Sequence, residues 1–354
     1  MKLLNAILLT LGIALLVGLL VSIGPRELWR ELSSLGWGLI PFILCEGVAE
    51  MIHTFGWRRC FNGDLRSVSW SFLYRVRMAG YAINYLTPTA SLGGEVTKTT
   101  LLASKGRVSQ AASGVLIGKV CFGIAHLLFV SIGTVFVMRA VHLERVVWIP
   151  LLLSALLVGC GIFTFLILQL RGKLGAPLRW LTAKGFGGRK FEKAVANLST
   201  IDVELRAFYR THPQDMFFAV CWYLLGYSLG IAQTWFFLHL VNPGTSLSTA
   251  AAVWFLGMWF DLLTFAVPMN AGSLEGSRVL VFKLLGLTAS MGMAYGIAMR
   301  LAQLSWATVG LGFYGQLIAR KQALPVSSAL QNKSEARKVN GVQTKRKFPW
   351  LAES

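Results

Sequence analysis

Gly80-Tyr81-Ala82-Ile83-Asn84-Tyr85-Leu86-Thr87-Pro88-Thr89-Ala90-Ser91-Leu92-Gly93-Gly94-Glu95-Val96-Thr97-Lys98 is the stretch on which the fold turns. It belongs to an apolar segment, about 78–97, that is greasy enough to enter a bilayer yet cannot run through it as one helix. Pro88 has no backbone N–H to donate, and it drives the residue before it toward an extended conformation. In hydrocarbon such a break exposes backbone polar groups unless protein or water satisfies them. The flanks decide the route. Arg58, Arg59, Arg66, Arg75 and Arg77 precede the segment, and Lys98, Lys105 and Arg107 follow it. Basic residues collect on the cytoplasmic side, so both ends belong on that face. A segment that starts and ends on one face does not cross, and 78–97 is expected to be a re-entrant hairpin.

The rest of the chain supplies the membrane around it. Of 354 residues, 55% are apolar and 14% charged, with a mean hydropathy of +0.60, which excludes an ordinary soluble domain. Apolar runs over about 3–23, 38–56, 108–138, 147–170, 216–241 and 288–318 are each near or above the ~20 residues that a helical span needs. The run at 3–23 has no small-x-small cleavage site before Gly24-Pro25 and is read as a retained span. The net charge of +19 reflects loop topology, and with runs this long no nucleic-acid partner is expected.

Loop charges order the spans. Residues 171–215 carry nine Lys or Arg against four acids, and the tail from Ala319 carries eight against two, whereas loops 24–37, 139–146 and 242–248 carry four basic residues between them. Both termini are therefore placed in the cytoplasm. A second broken stretch, 249–287, then begins and ends outside, which makes it a hairpin entering from the opposite face. A weak internal repeat agrees: Pro88, Glu95, Lys98 and Gly106 recur 180 residues later as Pro268, Glu275, Arg278 and Gly286. The fold expected is an all-α integral membrane protein with about six full spans and two oppositely oriented re-entrant hairpins in a pseudo-inverted repeat. In transporters so built, substrate sits near the midplane between the repeats. The membrane domain occupies 1–322.

Within the cytoplasmic loop, Phe191, Val195, Leu198, Ile201, Leu205 and Phe208 recur at helical spacing, predicting an amphipathic helix that lies on the inner leaflet or packs under the bundle. Residues 323–354 are polar, basic and aperiodic, and are read as an unstructured tail near an anionic surface. Cys45, Cys60, Cys121, Cys160 and Cys221 show no CxxC spacing, so neither a disulfide framework nor a zinc site is expected.

Ionisable groups inside a span cost roughly 2.5–3.5 kcal/mol each and call for a partner, water or a role. Glu46, Glu50, His53 and Trp57 share one face of the second span, and Lys119 and His126 share a face of the third. The reading is either a wet cavity in which Glu46 and Glu50 face Lys119, holding a headgroup or relaying protons, or a structural ion pair. Arg300, deep in the last span, either grips a phosphate bidentately or pairs with Asp261 or Glu275. At Asn84 to Pro88, and from Pro268 to Gly272, the breaks are expected to leave backbone N–H groups that attract anions where the returning half-helices begin. Gly94, beside Glu95, is counted with the same site. Glu95 and Glu275 either cap those helices or serve the site, with Lys98 and Arg278 one turn on. Gly114-x3-Gly118, Gly226-x3-Gly230 and Gly292-x3-Gly296 suit close helix packing. No metal set, cofactor motif or phosphate-binding GxxxxGK[ST] occurs, so no cofactor is expected.

Asn84-Tyr85-Leu86-Thr87-Pro88, followed by Gly93-Gly94-Glu95 and Leu101-Leu102, resembles the first signature of the lysylphosphatidylglycerol synthase transmembrane-region family, also known as flippase-like proteins. Pro268 to Glu275 resembles its second signature, and Arg300 its final-helix arginine; the likeness extends to about Gln322. The resemblance implies two re-entrant segments and a role in moving or presenting phospholipids across a bacterial inner membrane. Members fused to an aminoacyl-transferase domain flip aminoacylated phosphatidylglycerol; no such domain is read in this chain, so synthesis of that lipid is not expected. The Ala90-Ser91-Leu92-Gly93-Gly94-Glu95 variant is similar to members associated with hopanoid biosynthesis.

The functional expectation is thus a lipid translocase, not an enzyme, with membrane phospholipid as partner and self-association left open. Two rivals stand beside it. One is a membrane-embedded enzyme acting on an isoprenoid or glycolipid. The other is a non-transporting partner of a lipid-synthesis enzyme.

Overall fold

Helix boundaries follow the local chemistry of the chain. The computed structural model describes residues 25–87, 92–140, 205–263 and 272–347, with Val21, Val203 and single helical positions between 149 and 167. The elements are α1 (Pro25–Leu35), α2 (Leu39–Arg58), α3 (Trp70–Leu86), α4 (Leu92–Leu102), α5 (Val108–Ala140), α6 (Pro213–Val241), α7 (Leu247–Leu263), α8 (Ser273–Leu284) and α9 (Ala289–Lys347). No strand occurs among the described residues. Thr87 is extended, at φ −113° and ψ 137°, as the following proline requires, and α3 stops there. Gly272 precedes α8 at φ 69°, a conformation that a side chain resists. At the other end of α8, Leu287 N–H donates to the Phe282 carbonyl and Gly286 N–H to that of Lys283. That is the glycine-terminated pattern of a Schellman cap.

Among the described residues, three helical stretches are long and apolar enough to cross a membrane: Trp29–Arg58, Val108–Arg139 and Pro213–Val241. They correspond to the second, third and fifth expected spans, and α9 covers the sixth. The expected span at 3–23, apart from Val21, and more than half of 147–170 lie outside the described residues, as do Pro88, Pro268 and the loop positions Phe191 to Ile201. Leu205 and Phe208 are buried in the main core, so the described end of the amphipathic stripe packs against helices, not lipid. α9 continues to Lys347, past the boundary at which an unstructured tail is expected. Its last part is rich in Ala, Leu, Gln, Lys, Glu and Arg, and extending a helix that already exists avoids the cost of nucleation.

Two helices act as hubs. α6 packs against α1, α2, α5 and α7, whereas α9 packs against α1, α2, α3 and α8; α2 touches both. α3 and α4 pack on each other, as do α7 and α8. The repeat extends well beyond the four matched residues. Moved forward by 180 positions, α2 falls on 219–238, α3 on 250–266, α4 on 272–282 and the start of α5 on 288. Those windows coincide, within a few residues, with α6 (which is longer), α7, α8 and the start of α9.

The three glycine pairs prove to be of two kinds. A Cβ at Gly114 or Gly118 would strike the rings of Phe61 or Trp57, and at Gly226 or Gly230 those of His53 or Trp254; these glycines are hollows for side chains. Gly292 and Gly296 instead bring backbone to backbone. A Cβ on Gly292 would lie 2.8 Å from Val279 Cα and 2.9 Å from the Arg278 carbonyl oxygen, and one on Gly296 would lie 3.0 Å from Glu275 Cα. Gly292→Leu and Gly296→Leu should therefore each destabilise the protein by about 1–3 kcal/mol. Gly312→Leu, where nothing lies within 4 Å, should leave thermal unfolding in detergent unchanged.

Candidate functional site

The first folded-back pair is closed by a side chain. Asn84, near the end of α3, accepts a hydrogen bond from Gly94 N–H at 2.6 Å. One of the amides expected to face an anion is therefore capped by the protein itself. The absence of side chains at Gly80 and Gly94 permits this: a Cβ at Gly94 would collide with Asn84 and the Gly80 carbonyl, and one at Gly80 with Lys98. Contacts from 84 and 80 to 94, and from 80 on to 98, show α3 and α4 running antiparallel.

Glu95 stands in the first turn of α4 but does not cap it. Its carboxylate accepts hydrogen bonds from Lys98 Nζ at 3.0 and 3.1 Å, and from Lys119 Nζ of α5 at 3.5 Å. Lys98 is nearly enclosed, whereas the Lys119 side chain is 48% exposed. Beside them, Glu50 of α2 is held by Arg77 of α3, Nε to Oε2, at 2.7 Å, and His53 Nδ1 lies 3.7 Å from the same carboxylate. Arg77 also covers the rings of Phe122 and Tyr223 and lies within electrostatic reach of Glu95. Three cations, Arg77, Lys98 and Lys119, thus meet two carboxylates, Glu50 and Glu95.

The second half repeats the central motif. Glu275, fully buried in the first turn of α8, is gripped bidentately by Arg300 of α9: Nη2 donates at 2.9 Å and Nε makes a closer contact. In each half the acid opening the returning helix is held by a cation from the next long helix, Lys119 or Arg300. The fourth members differ. Lys98 stays with its own Glu95, but Arg278, also fully buried, turns to α7. There it donates to Asp261 Oδ2 at 2.7 Å and to the Gly257 carbonyl at 3.0 Å. Arg300 is in electrostatic reach of Tyr85 at the end of α3, which links the second cluster to the tip of the first.

The expected candidates therefore sort into groups. Glu95, Lys98 and Lys119 come together, with Asn84 and Gly94 at the closure below them. Glu275 and Arg300 come together, with Arg278 on the same helix but engaged elsewhere. Lys119 faces Glu95, not Glu46 or Glu50 as expected, because α2 meets α5 only slightly while α4 packs on α5. Glu46 is partly buried on α2 and has no hydrogen bond or ion pair among the described residues. Pro88 and Pro268 lie outside the described residues. Arg77 is the site residue that sequence reasoning missed, since it was counted as a flank charge. Its spacing to Tyr81 and Asn84, four and seven positions on, was the available signal. Among the described residues no three His, Cys, Asp or Glu side chains are grouped to hold a metal.

The sequence profile of the family described as Lysylphosphatidylglycerol synthase TM region matches residues 7–312. The chain is also 21% identical, over 336 residues, to a protein of Methanothermobacter thermautotrophicus described as a UPF0104 membrane protein. That alignment covers 91% of this chain and 98% of that one. No solved structure matches. A chain whose described residues include three membrane-length apolar helical stretches and buried, paired charges, and which that profile matches over most of its length, is a membrane protein belonging to the Lysylphosphatidylglycerol synthase TM region family.

Proposed function

We propose that this protein is a lipid translocase of the cell inner membrane that moves an anionic or modified phospholipid between leaflets. In this reading α3–α4 and α7–α8 are re-entrant hairpins from opposite faces, six spans surround them, and both termini are cytoplasmic. The observation that carries the proposal is the pairing repeated in both halves: Glu95 with Lys119 and Glu275 with Arg300, each at the start of a returning helix. In the first cluster a headgroup phosphate can take Lys119 while Lys98 keeps Glu95 neutralised, so that no buried charge is left unpaired. The surplus cation of the Arg77, Lys98 and Lys119 cluster favours an anionic headgroup on the first side. Acyl chains remain in lipid, and the headgroup is spared the loss of its hydration in hydrocarbon. Alternating exposure of the two clusters completes the cycle.

Topology is tested by labelling single cysteines in a cysteine-free background. Asp64→Cys and Ser104→Cys should both react only from the cytoplasm, and Ser246→Cys and Thr288→Cys only from outside; opposite sides within either pair would mean a crossing. Transport is tested in liposomes with labelled phosphatidylglycerol. Lys119→Ala, at a half-exposed site, should slow movement roughly tenfold, as expected for one lost charge-assisted hydrogen bond, without lowering thermal stability. Equal rates in wild-type and protein-free vesicles would end the translocase reading. Arg300→Ala strands the buried Glu275 charge and should cost about 3–5 kcal/mol. The double variant Glu275→Gln with Arg300→Gln should recover most of that loss in a denaturation midpoint.

A further inference from the structure

Every carboxylate of the bundle interior described above has a cation except one. Glu50 has Arg77, Glu95 has Lys98 and Lys119, Asp261 has Arg278, and Glu275 has Arg300. Glu46 lies one helical turn before Glu50, toward the middle of α2, and makes no hydrogen bond or ion pair among the described residues. The titratable groups in electrostatic reach of it are Cys45 and Glu50 on its own helix, Tyr81 and Tyr85 on α3, and Tyr295 on α9. At this level α6 brings the neutral Gln233, which donates to the Phe42 carbonyl, and Thr234, bonded to Tyr295. No cation is among these groups. An unpaired carboxylate in the membrane interior reaches neutrality most cheaply by taking up a proton.

Two polar side chains in its surroundings also lack hydrogen-bond partners. The Tyr81 hydroxyl is buried, lacks a hydrogen-bond partner, and is in reach of both Glu46 and Glu50. His53, with both ring nitrogens lacking hydrogen bonds, lies 3.7 Å from Glu50 and one turn from the cytoplasmic end of α2 at Trp57 and Arg58. With Glu46 neutral, the neighbouring cluster keeps its surplus positive charge; with Glu46 ionised, that surplus is cancelled.

We propose that Glu46 is a proton-binding site and that a proton and an anionic headgroup are carried together, the proton on Glu46 and the phosphate on the cations around Glu95. The transport half of this rests on the translocase reading. The proton enters from water and leaves to water unchanged, so no other co-reactant is needed.

Two measurements on the full chain test it. In liposomes with labelled phosphatidylglycerol and an imposed gradient of one pH unit, lipid should accumulate in the leaflet on the alkaline side. For one proton per lipid the leaflet ratio should shift by up to about tenfold, and Glu46→Gln should lose that shift. In nanodiscs, the infrared carbonyl band of a protonated carboxylic acid should be present in the wild type, vanish in Glu46→Gln and persist in the exposed control Asp64→Asn. Wild-type transport indifferent to the gradient, a Glu46→Gln protein that still responds to it, or a band unaffected by Glu46→Gln overturns the proposal. A wild type that moves no lipid under any gradient overturns the translocase reading and the coupling with it, and the infrared band still decides the proton site.

Discussion

A charge within a lipid bilayer must find its opposite inside the protein, and that requirement organises this molecule. Glu50 to Arg77 ties α2 to α3, Glu95 to Lys119 ties α4 to α5, Arg278 to Asp261 ties α8 to α7, and Arg300 to Glu275 ties α9 to α8. Each pair joins different helices, so neutrality and helix order are satisfied by the same contacts. Apolar packing alone discriminates poorly among helix neighbours where the solvent is itself apolar. A misplaced helix here leaves two unpaired charges, at several kcal/mol for each ion.

The second organising element is the duplication. Four consecutive helices recur at an offset of 180 residues, and the acid–cation pair at the start of the returning helix recurs with them. The halves have diverged in instructive ways. α4 is closed onto α3 by the Asn84 side chain, whereas α8 is entered through a positive-φ glycine and pressed onto α9 through Gly292 and Gly296. The first cluster keeps a half-exposed lysine at its edge; the second is sealed by a bidentate arginine.

The helical, membrane-embedded character of the chain was legible because apolar run length and broken runs are one-dimensional signals. The repeat was legible only faintly, from four residues, since the helices conserve their spacing while most side chains have changed. What the sequence could not supply was who faces whom. Lys119 had a carboxylate partner, but Glu95 and not the Glu46–Glu50 face, because partnership depends on which helices are neighbours. Arg77 looked like one more loop cation until α3 carried it alongside Glu50. Of the two acids that Arg300 could reach, Asp261 and Glu275, it is Glu275 that α8 places against it. Leu205 and Phe208 kept their helical spacing, yet their burial in the core, not the spacing, identified what they pack against.

The spacing of the repeated pairs bears on how the chain is made. Glu95 precedes Lys119 by 24 positions and Glu275 precedes Arg300 by 25. During synthesis Glu275 leaves the ribosome before Arg300 by about the length of one membrane-crossing helix, whereas Glu95 has Lys98 beside it on its own helix. The acid of α8 therefore lacks its bidentate partner until α9 has emerged beside it, and that of α4 is paired from the outset. A buried charge without its partner is costly, so the second half depends on the arrival of its following helix in a way that the first does not.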